Sequence, residues 1–131
     1  MATIVIAETI ATVGVDALKA AGHTIHELSG QPRESLVAAL QEADALIVRS
    51  QVKVDAALIA AGPKLRIIGR AGVGIDNIDA VAAERAGILV VNAPDGNTIA
   101  AAEHTFALLL ALARHVTKGD RSVRDGAWAR A

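Results

Sequence analysis

The sequence has no cysteine and no tyrosine, and only one tryptophan and one phenylalanine among its 131 residues. Without cysteine, disulfide bridges, thiolate metal sites and cysteine nucleophiles are excluded. The longest apolar run, Phe106 to Ala113, is much shorter than the roughly 20 residues that cross a bilayer. The first residues also lack the basic and then apolar pattern of a secretory signal. We therefore expect a cytoplasmic protein with no membrane partner.

An excess of positive charge is missing as well. The net charge is -1 and the isoelectric point is about 6.4, which argues against nucleic acid or an anionic membrane as the main partner. Hydrophobic residues make up 53% of the chain, so it carries enough apolar surface to fold. The length is typical of one domain.

Five short apolar segments alternate with stretches that are rich in alanine and leucine at helical spacing. Strands that alternate with helices favour a parallel sheet covered by helices on both faces. Segments one, three, four and five are continuously apolar, as expected for strands buried on both faces. The segments lie at residues 4–7, 24–26, 45–48, 66–69 and 88–91.

The second segment is polar and suits an edge of the sheet, because His26 and Glu27 follow its single isoleucine, Ile25. With this strand at the edge and the first strand inside, the strand order is 2-1-3-4-5. We therefore predict an α/β fold, a flavodoxin-like doubly wound sheet of five parallel strands, over residues 1–96.

The last third of the chain departs from this pattern. A single long apolar helix is predicted over residues 97–116, followed by a polar segment at residues 117–131. A helix that is apolar on all sides is normally buried on more than one side, and exposed Phe106, Leu109 and Leu112 would form a patch that soluble monomers rarely tolerate. The helix is expected either to fold back onto the sheet or to pair with a second copy in a homodimer.

Two arginines follow directly after apolar strands. Arg49, with Ser50 beside it, comes after the third strand, and Arg70 comes after the fourth. Ligands of open parallel sheets bind beyond the carboxyl ends of the strands, and the planar guanidinium suits carboxylate or phosphate. One interpretation is an anion site, and the other is that both arginines mark strand ends and reach solvent.

The loop after Arg70 looks at first like a dinucleotide fingerprint. Gly72 and Gly74 provide the first two glycines of the G-x-G-x-x-G pattern, but Asn77 stands at the third. The loop is then either a tight turn or a backbone that approaches an anion. No metal-ligand spacing is present, and the near absence of aromatic residues argues against a flavin.

Several segments carry recognisable motifs, at residues 48–50, 69–79, 91–94, 97–98 and 102–103. Together they resemble the NAD-dependent D-2-hydroxyacid dehydrogenases over essentially the whole chain. The segment with the glycines is common to that family. The Arg-Ser pair and the Asn-Ala-Pro turn narrow the resemblance to the branch that acts on 3-phosphoglycerate in serine biosynthesis.

The resemblance implies roles for individual residues. Arg49 and Ser50 would contact the phosphate and carboxylate of the substrate, with Arg70 nearby. Gly72, Val73 and Gly74 would hold the carboxylate through their backbone. Val73 would also approach the nicotinamide end of NAD, and Asn97 would line the same cleft.

The chain also departs from the family. Family members continue into a second domain with the true dinucleotide fingerprint and the catalytic arginine, glutamate and histidine, none of which has a matching position in this sequence. We therefore expect no catalytic residue in this chain, no NAD bound by it alone, and no dehydrogenase activity without a further domain. Two alternatives remain: a self-associating scaffold with a vestigial anion site, and a subunit that a separate cofactor-domain chain completes.

Overall fold

The computed structural model describes residues 1–127 and divides the chain into two units, with the second beginning at Asn97. The first unit contains β1 (Thr3–Ile6), α1 (Thr12–Ala20), β2 (Thr24–Glu27), α2 (Arg33–Leu40), β3 (Ala45–Val48), α3 (Ala56–Ala60), β4 (Ile67–Arg70), α4 (Ala80–Arg85) and β5 (Leu89–Asn92). The second contains α5 (Thr98–Ala113) and α6 (Val116–Arg124).

The five strands form one sheet in the order β2-β1-β3-β4-β5, and every neighbouring pair is parallel. The predicted fold class and strand order are confirmed. Because all strands point the same way, their carboxyl ends lie along one edge of the sheet, and the loops that follow β1, β3, β4 and β5 meet there.

One face of the sheet carries most of the core. Val5, Leu46 and Ile68, from three adjacent strands, are fully buried against α2, α3 and α4, which contribute Leu40, Leu58 and Ala83. Each Å² of apolar surface that this layer removes from water contributes about 25 cal/mol to stability.

The opposite face is covered over only part of its width. Among residues 1–96, α1 packs Val15 against Ile4 and Ile6 of β1. Leu89 of β5 remains 59% exposed, and Val91 is exposed as well. The prediction that the fifth strand is buried on both faces is therefore wrong: β5 is an edge strand, and the helix-covered part of this face lies over β1, β2 and β3.

The second unit differs from the prediction of one helix over residues 97–116. The α5 helix ends at Ala113, because the chain turns at His115, whose φ of +52° is in the left-handed region that ends helices. The polar segment predicted from residue 117 is helical over most of its length, since α6 spans Val116–Arg124. Residues 128–131 of that segment, including Trp128, lie outside the described residues.

No residue of α5 is buried in the described structure, although the helix is almost entirely apolar. Between residues 1 and 127, no single helix has the length and hydropathy needed to cross a membrane. The α5 and α6 helices reach that threshold only when counted together across a 65° bend.

Candidate functional site

The ends of β3 and β4 place the two arginines of interest side by side. Val48, the last residue of β3, is paired with Arg70, the last residue of β4, and Arg49 is the next residue along the chain. Arg70 Nε donates a hydrogen bond to the backbone carbonyl of Arg49 at 3.3 Å. The structure therefore brings Arg49, Ser50 and Arg70 together at the carboxyl edge of the sheet.

The glycine loop lies directly against Arg70. The guanidinium of Arg70 occupies the place where a Cβ atom at position 72 would stand, so a larger residue at Gly72 would displace this side chain. The next residue, Val73, is exposed, and its carbonyl accepts a hydrogen bond from the side-chain amide of Asn92 at 2.5 Å. Gly72 therefore leaves room for Arg70 in its present position.

Glu8 holds the segment that carries Arg49 and Ser50. Its side chain follows β1, is only 8% exposed, and accepts hydrogen bonds from the backbone N–H groups of Arg49, Gln51 and Val52 at 2.7, 3.0 and 3.2 Å. Burial alone raises the pKa of the Glu8 carboxyl, but the three N–H donors and the charge of Arg49 outweigh it and hold that pKa below its ordinary range.

This low pKa predicts how stability depends on pH. A carboxyl whose pKa is lower in the folded than in the unfolded chain stabilises the fold above its unfolded pKa, near 4.3, and loses that contribution as pH falls through the folded pKa. Urea unfolding should therefore show a steeper loss of unfolding free energy below about pH 5 for the unmodified chain than for Glu8→Gln. Glu84→Gln, which changes an exposed carboxyl on α4, is the matched control and should retain the steep profile. Parallel profiles for the unmodified chain and Glu8→Gln would contradict the assignment.

Asn77 holds the same segment from the other side. Its Nδ2 donates to the carbonyl of Arg49 at 2.9 Å and to that of Val52 at 2.8 Å. The backbone adds a bridge between Val54 and Ile78. The Oδ1 atom of Asn77 is buried and has no hydrogen-bond partner within residues 1–127.

Sequence reasoning missed both of these roles. The sequence did not single out Glu8 as a site residue, and Asn77 was noted only as the residue that breaks the dinucleotide pattern. The one available sequence feature was an acidic residue directly after a buried strand, which is unusual because an unpaired charge there is costly.

A polar cleft of about 320 Å³ opens at the carboxyl ends of β1, β2 and β3, where the strand order reverses. Arg49 borders it, and its Nη1 lies 3.5 Å from the carbonyl of Thr9. The other lining residues are Ala7, Glu8, Ser29, Gly30, Gln31, Gln51 and Val52.

Asn97 belongs to the second unit, where it is the N-cap residue of α5, so its predicted place in the cleft stays a prediction. His23 lies beside the edge strand β2, where its Nδ1 accepts a hydrogen bond from the backbone of Ala2 at 3.2 Å. Across the described part of the chain, no cluster of three or more acidic or histidine side chains is arranged to hold a metal ion.

Comparison with known families agrees with this geometry. Residues 4–124 match the model of the catalytic domain of the D-isomer specific 2-hydroxyacid dehydrogenases. The chain therefore belongs to this family.

Within the family, the chain is similar to D-3-phosphoglycerate dehydrogenases. It is 49% identical to that of Archaeoglobus fulgidus over 97% of this chain and 24% of the relative, and 46% identical to that of Synechocystis over 99% of this chain and 23% of the relative. The chain thus spans about a quarter of the length of these relatives.

Solved structures show the same fold. The TT0316 protein of Thermus thermophilus superimposes with a TM-score of 0.89 at 31% identity, covering 98% of this chain and 42% of that one. The NAD⁺-bound 3-phosphoglycerate dehydrogenase of Entamoeba histolytica gives a TM-score of 0.71 at 34% identity, covering 84% of this chain and 38% of that one.

Proposed function

We propose that this chain provides the substrate-binding part of a dehydrogenase that oxidises 3-phosphoglycerate with NAD. The observation that carries this proposal is the placement of Arg49 and Arg70 at the carboxyl ends of the adjacent parallel strands β3 and β4, with Ser50 next to Arg49 in the chain. The similarity to D-3-phosphoglycerate dehydrogenases supports the choice of substrate.

The substrate carries a carboxylate at one end and a phosphate at the other, and both groups suit the planar fork of a guanidinium. Arg49 and Arg70 together supply two positive charges at one edge of the sheet. The hydroxyl of Ser50 and the backbone of Gly72 to Gly74 supply further hydrogen-bonding groups beside them. These residues orient the ligand, and orientation contributes strongly to catalysis when the reacting partner is held nearby.

NAD supplies the hydride acceptor in this proposal, but the glycine loop does not fit its pyrophosphate. The open side of Gly72 is filled by the guanidinium of Arg70, and the position of the third glycine is held by Asn77, which bonds to the Arg49 segment. We derive no hydride-transfer step from this chain, because the residues of this loop serve the arginine site instead.

Isothermal titration calorimetry with 3-phosphoglycerate tests the proposal. We expect saturable binding to the 131-residue chain, weakened by added sulfate, which competes for the arginines. A parallel assay of NAD reduction with the same chain and substrate should give no turnover, because the histidines of residues 1–96, His23 and His26, lie at β2 and not in the loops that carry Arg49 and Arg70. Absence of binding would overturn the substrate assignment. Robust turnover would overturn the proposal that this chain binds the substrate but does not catalyse the reaction alone.

Self-association is a second proposal, which the exposed apolar surface of α5 favours. We propose that α5 pairs with a second copy of the chain, because Phe106, Leu109 and Leu112 are all exposed in the described structure. The alternative function, a self-associating scaffold, would show this pairing without any anion binding.

Sedimentation at several concentrations checks the pairing. We expect a dimer for the unmodified chain and a monomer for Leu109→Glu, because the substitution places a charge in an apolar contact. Val123→Glu, on the exposed surface of α6, is the matched control and should leave the dimer intact. A monomer at all concentrations would exclude the dimer.

A further inference from the structure

Residues 49–53 carry the anion-binding groups but belong to no helix or strand. Their backbone groups therefore lack the partners that regular structure provides, and an unpartnered backbone group away from water is costly. The path of this segment is therefore fixed only where side chains from elsewhere form hydrogen bonds with its backbone N–H and C=O groups.

Two side chains satisfy it from opposite directions. Glu8 accepts from three N–H groups of the segment, including that of Arg49, and Asn77 donates to two of its carbonyls, again including that of Arg49. The N–H and the C=O of Arg49 are thus each fixed, by residues that come from the loops after β1 and β4. Arg70 adds a second contact to the carbonyl of Arg49.

We propose that Glu8 and Asn77 are positioning residues that hold Arg49 and Ser50 in the conformation that binds the carboxylate or phosphate of the substrate. This inference rests on the proposed function. The hydrogen bonds of Glu8 and Asn77 go to the backbone of the segment, so each is proposed to act through that backbone.

The residue types follow from the donors and acceptors present. Two carboxylate oxygens accept three N–H groups, whereas glutamine at position 8 would turn an NH₂ donor toward N–H donors. The amide of Asn77 uses its donors on two carbonyls, whereas aspartate would set a negative oxygen against them. The carboxylate of Glu8 can lie near an anion site because three N–H dipoles and Arg49 offset its charge.

The test compares Glu8→Gln and Asn77→Asp with Glu84→Gln, which alters an exposed carboxyl on α4. Calorimetry with 3-phosphoglycerate should show about tenfold weaker binding for each of the first two variants and unchanged binding for the control. Amide hydrogen exchange should become faster at Arg49, Gln51 and Val52 in Glu8→Gln while the amides of β3 remain protected.

A double-mutant cycle separates positioning from general stability. If Glu8 acts through Arg49, Glu8→Gln should weaken binding much less in an Arg49→Ala background than in the unmodified chain. Glu8→Asp, which keeps the charge and both acceptor oxygens, should bind more tightly than Glu8→Gln.

The outcomes are distinguishable. Failure of the unmodified chain to bind 3-phosphoglycerate overturns the proposed function. Binding that Glu8→Gln and Asn77→Asp leave unchanged overturns the positioning role alone. Equal losses from Glu8→Gln with and without Arg49 also overturn it, since they would show an effect independent of that arginine.

Discussion

Replacing Arg49 with alanine is expected to weaken the binding of 3-phosphoglycerate by about 30-fold. Hydrogen bonds to a charged group contribute about 1.5–3 kcal/mol, and about 2 kcal/mol corresponds to a factor of about 30 in the dissociation constant. The Arg49 side chain is exposed, and the three backbone N–H groups that bond to the buried Glu8 carboxylate remain after its removal, so the fold should be retained. Calorimetry on Arg49→Ala measures the loss directly.

Two further variants define what Arg49 contributes. Arg49→Lys keeps the charge but loses the planar fork, and it should bind with an affinity between those of the alanine variant and the unmodified chain. Arg66→Ala is the matched control, because Arg66 is an exposed arginine just before β4, at the opposite edge of the sheet from Arg70. Equal losses from Arg49→Ala and Arg66→Ala would show that binding depends only on net charge.

Replacing Leu46 with alanine is expected to lower the free energy of unfolding by about 3 kcal/mol. Leu46 lies on β3 in the middle of the sheet and is fully buried between helices and neighbouring strands. Its truncation removes buried methyl groups and leaves a cavity, and such changes cost about 2–5 kcal/mol. Urea unfolding followed by circular dichroism measures the effect.

The same substitution at Leu89 is the matched control. Leu89 lies on β5 and is 59% exposed, so Leu89→Ala should cost less than about 1 kcal/mol. A loss at Leu89 as large as that at Leu46 would contradict the exposure of this face and show that it is covered in solution.

Much of the fold could be predicted from hydrophobic patterning. The polar residues His26 and Glu27 identified β2 as an edge strand, and that placement was sufficient to derive the strand order. The same patterning failed at β5, because a continuously apolar strand has the same sequence pattern whether helices cover one of its faces or both. It also missed the end of α5, where the turn occurs at His115 rather than at a glycine or proline.

The candidate site was predictable only in part. Arg49 and Arg70 could be placed together because they follow strands that are adjacent in the predicted order. The contacts of Glu8 could not, since they join residues 41 to 44 positions apart and depend on the path of an irregular loop. The contacts of Asn77 could not be predicted either, because its side-chain amide donates to backbone carbonyls, and every residue has such a carbonyl.

The two-sided attachment of Arg49 has a consequence for folding. Glu8 precedes the segment in the chain and Asn77 follows it, so the Glu8 contact requires β3 to be joined by β1, and the Asn77 contact requires β3 to be joined by β4. Each contact closes a loop of at least 25 residues, and the entropy of that closure is lost before the contact contributes. An intermediate with β1 and β3 paired but β4 detached would have the N–H of Arg49 held and its carbonyl free. Ligand affinity would therefore report detachment of β4 under conditions in which the helix content of the chain is still nearly native.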